Sequence, residues 1–319
     1  MPSGPLPSYG QLLLLILPVF AFMGIGLTMR RLHWLTHQAD TSLLKMTVNF
    51  FYPCLILENV LGNQALREPG NIIFAPLVGF GTMVFCMIVS YQFARWIGIS
   101  AGAGVRTFAF TVGIYNYGYI PIPLMNKIFG PESLGVLFVH NIGCETAIWT
   151  VGILILSGQS LKEGWRKLIN APVTTLVLAL VGNFFHVQEY LPTVFRDIVH
   201  QSAVCAIPLG LIVIGATVEE YLGKPSDLVE PKITLSSNLL QLGLFPLAFI
   251  ALARWLPCSI DLKRVILIEG AMPAAVLPIV LAKHYGGNAK MAVQIVLGTT
   301  AVGILLVPFW IKLGLSWVF

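Results

Sequence analysis

Charge is what this sequence has least of. Asp, Glu, Lys and Arg make up 10% of its 319 residues, hydrophobic residues make up 56%, and the mean hydropathy is +0.82. A soluble domain is about one quarter charged, so this composition excludes a water-soluble fold whose single core would have to hide so much apolar surface. Cysteine is also sparse: Cys54, Cys86, Cys144, Cys205 and Cys258 are scattered without a C-x-x-C pair, which argues against a disulfide framework and against a zinc site. Histidines and carboxylates with metal-ligand spacing are missing, as are a Gly-x-x-x-x-Gly-Lys phosphate loop and a recognisable Ser, His and Asp set. An ATP-driven pump is disfavoured, and no metal or cofactor is expected. The net charge of +5 comes from basic residues that stand singly or in short groups between apolar stretches, a pattern that fits membrane loops and gives no basic face for nucleic acid. The first apolar run, Gln11 to Met29, lacks a basic leader and a small-residue cleavage site, so it reads as a retained span.

What the chain has in abundance is apolar runs. About 20 apolar residues cross a bilayer, and cutting at charged, Gly and Pro clusters predicts ten spans: Gln11 to Met29, Leu43 to Leu61, Ile72 to Ile97, Thr107 to Ile128, Leu134 to Ser157, Val173 to His186, Ile198 to Val218, Ile233 to Leu256, Val265 to Lys283 and Met291 to Ile311. The expected fold class is therefore an all-α integral membrane protein. Its domains would be a first five-helix repeat over 9–157, a linker over 158–171 carrying Lys162, Arg166 and Lys167, and a second repeat over 172–313. Alternating the connections puts twelve Lys and Arg on one side and seven on the other. By the positive-inside rule both termini lie outside the cell (inner) membrane and the linker lies in the cytoplasm.

The halves echo each other. Pro121 lies nine residues before Gly130 with Asn116 five before it, and Pro278 lies nine before Gly287 with Pro273 five before it. Gly143-Cys144-Glu145-Thr146-Ala147 follows the first, Gly298-Thr299-Thr300-Ala301 follows the second, and Pro53 and Pro208 sit inside the second span of each half. An odd number of spans per half makes the repeat inverted, an arrangement typical of secondary transporters. Gly113, Gly118, Pro121 and Pro123 should break the fourth span between Asn116 and Pro123, and Pro273 and Pro278 the ninth. Broken backbone survives in a membrane only where protein or a water-filled cavity surrounds it, so the two breaks mark the expected binding site. Candidate substrate contacts are Asn116, Tyr117, Gly118, Pro121, Met272, Pro273 and Ala274.

Carboxylates inside spans are costly and usually functional. Glu145 and Glu269 are the candidate coupling residues, with Asn141 one turn before Glu145 on the same face. Thr146 joins them, although such a hydroxyl more often satisfies its own i−4 carbonyl. Glu58 reads as an ordinary interface residue, and His140 and His284 as solvated imidazoles at span ends. At most one or two of Tyr115, Tyr117 and Tyr119 are expected to line a pocket.

Asn116-Tyr117-Gly118-Tyr119-Ile120-Pro121 and Met272-Pro273-Ala274-Ala275 resemble the auxin efflux carrier family, and the resemblance runs through nearly the whole chain, including Pro53 and Thr299-Thr300. It implies inverted repeats of five helices with helices four and nine crossing at their broken centres, a fold similar to that of sodium-coupled bile acid carriers. It further implies a scaffold of helices 1, 2, 6 and 7 and a transport unit of helices 3 to 5 and 8 to 10. The function expected is secondary active transport of a small organic anion, a carboxylate or auxin-like molecule, by alternating access, proton-coupled or uniport. Sodium-coupled symport is the alternative, and an intramembrane enzyme or a channel are the rivals from other classes. The partners expected are the anion, the lipid bilayer and a proton or sodium ion; a homodimer is compatible with the sequence.

Overall fold

A computed structural model describes residues 7–100, 102–157, 168–220 and 230–319. Most of the linker expected over 158–171, with Lys162, Arg166 and Lys167, lies outside the described residues, as does Lys224. Among the described residues the chain is helical throughout, with one isolated β-bridge and no strand.

The helix α1 (Tyr9–Arg31) opens on a capping box in which Ser8 and Gln11 exchange side-chain-to-backbone hydrogen bonds. α2 (His37–Met46) runs through a π-helical segment, Thr47–Phe51, into α3 (Tyr52–Val60). α4 (Pro69–Trp96) follows, then α5 (Ala103–Gly113) and α6 (Pro121–Phe129), separated by non-helical backbone. α7 (Pro131–Ala147) continues through a second π segment, Ile148–Gly152, into α8 (Ile153–Ser157). α9 (Ala171–Phe184) and α10 (Thr193–Glu220) come next, with Pro208 inside α10. α11 (Pro231–Leu239), a third π segment, Leu240–Leu244, and α12 (Phe245–Trp255) form one rod. α13 (Ile260–Gly270) and α14 (Leu277–His284) are again separated by a break, and α15 (Ala289–Val318) closes the chain.

Six of these rods are long and apolar enough to cross a membrane: Tyr9–Arg31, Pro69–Trp96, Pro131–Ser157, Thr193–Glu219, Pro231–Trp255 and Ala289–Val318. Large apolar side chains such as Leu14, Leu77, Phe184 and Leu235 point outward and are more than half exposed, as expected of a surface that meets lipid rather than water.

Prolines explain much of the local geometry. Pro246 has no N–H to offer the Leu242 carbonyl one turn before it, and that carbonyl instead accepts from Trp310 Nε1 at 2.6 Å. In the fourth span the helix stops at Gly113 and resumes at Pro121. The break therefore covers 114–120, ending before the two prolines rather than including them. A proline fits the first turn of a helix, where no donor is needed and its fixed φ suits the start; Pro278 plays the same part at the start of α14.

Close helix contacts depend on residues without a Cβ. α1 lies against α10, and a Cβ at Gly26 would sit 2.0 Å from the Ile212 carbonyl oxygen while one at Gly215 would sit 1.9 Å from that of Met23. α4 meets α7 in the same way, with a Cβ at Gly143 falling 1.8 Å from the Pro76 carbonyl oxygen. Helices in lipid gain little from hiding apolar surface, so they associate through such close packing. α3 packs on both α9 and α10, and α4 lies against both α5 and α7. α15 touches α1, α5 and α11 and joins these groups.

Gly143→Ala should therefore lower stability by about 2 kcal/mol or more, the range for overpacking a tight contact. Gly24→Ala, with nothing within 4 Å of the added carbon, should stay within about 0.5 kcal/mol of the parent. Thermal unfolding in detergent checks both, and equal midpoints for the two variants would refute the contact.

Candidate functional site

The two breaks meet each other. Tyr115 and Ala274 form an antiparallel bridge, with Asn116 N–H donating to the Pro273 carbonyl at 2.8 Å and Ala275 N–H to the Ile114 carbonyl at 2.9 Å. Around this bridge, side chains hold backbone groups the helices have released. Asn141 Nδ2 donates to the Tyr117 carbonyl at 2.7 Å, Gln241 Nε2 to the Met272 carbonyl at 3.1 Å, and Ala274 N–H to Thr299 Oγ1 at 3.2 Å. Asn116 Oδ1 accepts from the amides of Gly118 and Ile120 at 3.3 and 3.4 Å. Unpaired amides cost more than 1 kcal/mol each in a dry interior, so these polar side chains have an immediate structural use.

Beside the crossing lies a cavity of about 490 Å³, within the size range of small-molecule sites. Its walls are mainly apolar and aromatic, with Tyr52, Tyr119, Phe138 and Trp149 among them. Asn116, Tyr117, Gly118, Asn141 and Glu145 supply the polar face. Of the substrate contacts expected from the sequence, Asn116, Tyr117 and Gly118 thus reach the cavity. Pro121 is buried at the head of α6, while Met272, Pro273 and Ala274 are buried in the crossing itself. Their neighbours Ala275, Val276 and Leu277 form the wall in their place.

The coupling candidates separate as well. Glu145 faces the cavity, its Oε1 accepting from Tyr117 Oη at 2.7 Å and its Oε2 from Trp149 Nε1 at 2.8 Å. Trp149 stands four residues after Glu145, so the i, i+4 spacing was a signal available in the sequence; Tyr52 had none, since its place follows from how α3 packs. Glu269 is fully buried away from the cavity, and neither carboxylate oxygen has a hydrogen-bond partner among the described residues. Gln241 Oε1 is likewise buried and unpartnered among them. Asn141 joins the cavity wall, whereas Thr146 donates to its own i−4 carbonyl, Ile142, at 2.7 Å and stays off it.

Other expectations shift. His140 is not a solvated imidazole: it is completely buried where α7 packs on α4, 3.6 Å from Cys144 Sγ. Of the three tyrosines, Tyr117 and Tyr119 line the cavity and Tyr115 belongs to the core, its hydroxyl 2.9 Å from Thr82 Oγ1. Glu58 pairs with His200 across the contact of α3 with α10. Groups of three or more His, Cys, Asp or Glu able to hold a metal ion are absent among the described residues.

The family model described as membrane transport protein matches residues 12–311, nearly the whole chain. The chain belongs to that membrane transport protein family. It is also similar to an uncharacterized transporter of Methanocaldococcus jannaschii, 21% identical over 275 residues that cover 80% of this chain and 82% of the relative. The family match takes in both breaks, the cavity, Glu145 and Glu269, and it points to a multi-pass membrane protein whose business is transport.

Within this membrane transport protein site, Thr299 offers a clean test of the crossing. Thr299→Val keeps the shape and removes the acceptor for the buried Ala274 amide, which should lower stability by about 1–3 kcal/mol, while Thr299→Ser should restore most of it. Equal unfolding midpoints for the two variants would mean that the hydroxyl does not hold the break.

Proposed function

We propose that the protein is a secondary active transporter of a small organic anion, a carboxylate or auxin-like molecule, working by alternating access. Ten spans in two inverted repeats of five would build it, α5–α6 and α13–α14 serving as the crossing broken spans four and nine. α1, α2–α3, α9 and α10 would form the scaffold, and the remaining helices the moving unit. The observation that carries this reading is a cavity of about 490 Å³ set directly beside two mutually hydrogen-bonded breaks, in a chain of a transport family. Asn116, Tyr117 and Gly118 would touch the substrate. The cavity walls include Leu44, Asn170 and Thr217, near the connections that carry the larger share of basic residues. With both termini outside the cell membrane, the site would then face the cytoplasm.

Coupling follows from charge. Two carboxylates about 5 Å apart repel by about 3 kcal/mol at an effective dielectric constant of about 20, so an anion entering beside Glu145 is favoured when a proton neutralises one of them. Glu269 makes the same demand more sharply, since an ionised carboxylate without donors is expensive in a dry interior. Protons are the simplest carriers of that charge. The unpartnered oxygens of Glu269 and Gln241 support sodium as the second reading, because hard cations take carboxylate and carbonyl oxygens.

A thermal-shift screen of small carboxylates at two pH values, with and without sodium, tests the reading, since a ligand that binds only the folded state raises its stability. Binding should strengthen at the lower pH and be indifferent to sodium, and Asn116→Ala should weaken it about tenfold or more while the unliganded protein stays folded. Binding that requires sodium and disappears in Glu269→Gln would establish the second reading instead. A cysteine placed at the exposed Ser316 should be labelled by an impermeant thiol reagent in intact cells; labelling only after lysis would reverse the orientation.

A further inference from the structure

The cavity holds one ionisable group that its proposed anionic cargo does not want. Among the described residues Glu145 is the only Asp, Glu, Lys or Arg on the cavity wall. A pocket shaped for a plain anion would be expected to offer a cation, or donors alone; this one offers a carboxylate. That carboxylate is also fixed in place. Tyr117 Oη and Trp149 Nε1 each donate to one of its oxygens, which leaves further lone pairs on each oxygen for another donor.

Its surroundings are aromatic. Tyr52, Tyr119, Phe138 and Trp149 share the wall with it, Tyr52 lying edge-on to Phe138 at 5.9 Å and to Tyr119 at 6.4 Å between ring centroids. A carboxylate among aromatic rings is the chemistry that recognises an amine, through an ion pair and through attraction of a cation to the rings. The opposite need is met close by. Asn116 has its Oδ1 committed to the Gly118 and Ile120 amides, while its Nδ2 donor has no partner among the described residues. Asn141 ties the two sides together, one helical turn from Glu145 and bonded to the Tyr117 carbonyl next to Asn116. Asn116, which can donate to a carboxylate, and Glu145, which can accept from an amine, thus line one cavity and are linked through Asn141 and Tyr117.

We propose that the substrate is a zwitterionic amino-carboxylate with an apolar side chain, its ammonium group seated on Glu145 among the aromatic rings and its carboxylate on the Asn116 side. This rests on the reading of the cavity as the transport site and names the class of molecule it takes. The ammonium group supplies the charge that neutralises Glu145, so no proton need enter there with the substrate, and coupling falls to Glu269.

Two sets of ligands of matched skeleton separate the charges. L-phenylalanine, 3-phenylpropionate and 2-phenylethylamine form one set; L-leucine, 4-methylpentanoate and 3-methylbutylamine form the other. Binding is read by thermal shift and by titration on the full-length protein in detergent. The amino acid is expected to bind at least tenfold more tightly than the acid lacking the amine, with the amine alone also detectable. Glu145→Gln should weaken the two ammonium-bearing ligands about 30-fold, as loss of a desolvated partner does, and leave the plain acid equal or improved. Glu145→Asp should keep the ranking, and unliganded unfolding midpoints show whether each variant is folded. Plain acids that bind as well as or better than the amino acids would overturn this inference and leave the anion carrier standing. No binding by any member of either set, with the parent protein folded, would overturn both.

Discussion

Backbone hydrogen bonding at the crossing is the constraint from which the rest of the molecule follows. Two helices are interrupted well inside an apolar bundle, at 114–120 and 271–276, where hydrocarbon has no partner to give. Each break is tolerable only because the other is there, through the Asn116 to Pro273 and Ala275 to Ile114 bonds. The remaining groups recruit Asn141, Gln241, Thr299 and the side chain of Asn116. Most of the polar residues expected to serve a ligand are therefore structural first. What they create in doing so is a cavity wall whose backbone is held from behind, leaving side chains free to meet a guest.

The breaks were legible because glycine and proline act locally. Gly113, Gly118, Pro121 and Pro273 disturb the helix wherever the chain folds, so their positions could be read along the sequence. The exact start of the second half-helix was misread for the same local reason seen from the other side: Pro121 is compatible with a first turn as well as with a break. The lining of the cavity was less legible. Whether Ala274 or Ala275 faces it depends on where the second break meets the first, and whether Tyr52 reaches it depends on how α3 leans on its neighbours. His140 shows the limit most clearly, since its place in α7 looked terminal by count and is interior by packing.

Glu145 and Glu269 looked alike in the sequence and differ in what surrounds them. Glu145 has two donors and an aromatic wall, an environment that tolerates its charge and exposes it to a ligand. Among the described residues Glu269 has no donor and lies off the cavity. Two carboxylates in such different settings cannot bind a proton or cation with equal ease. This difference is what would let one carboxylate read the substrate while the other reads the gradient.

At the far end of the bundle from Leu44, Asn170 and Thr217, polar residues close the structure instead of opening it. Asn63 Nδ2 donates to the Pro131 carbonyl at 3.0 Å and the Ala65 amide to Glu132 Oε2 at 2.9 Å, tying the segment after α3 to the start of α7. Asn183 of α9 joins the same cluster, donating to the Asn63 carbonyl at 2.9 Å and accepting from the Gly62 amide at 2.9 Å. In the proposed scheme the first two bonds cross from the scaffold to the moving unit and the last two stay within the scaffold side. A neutral hydrogen bond contributes about 1 kcal/mol and one to a carboxylate about 1.5–3 kcal/mol, so releasing the crossing pair would cost about 3 kcal/mol. A gap of that size keeps the alternative conformation at roughly one per cent of the population or less. It is within reach of the differential binding energy of one small ligand, which is the condition for alternating access to respond to its cargo.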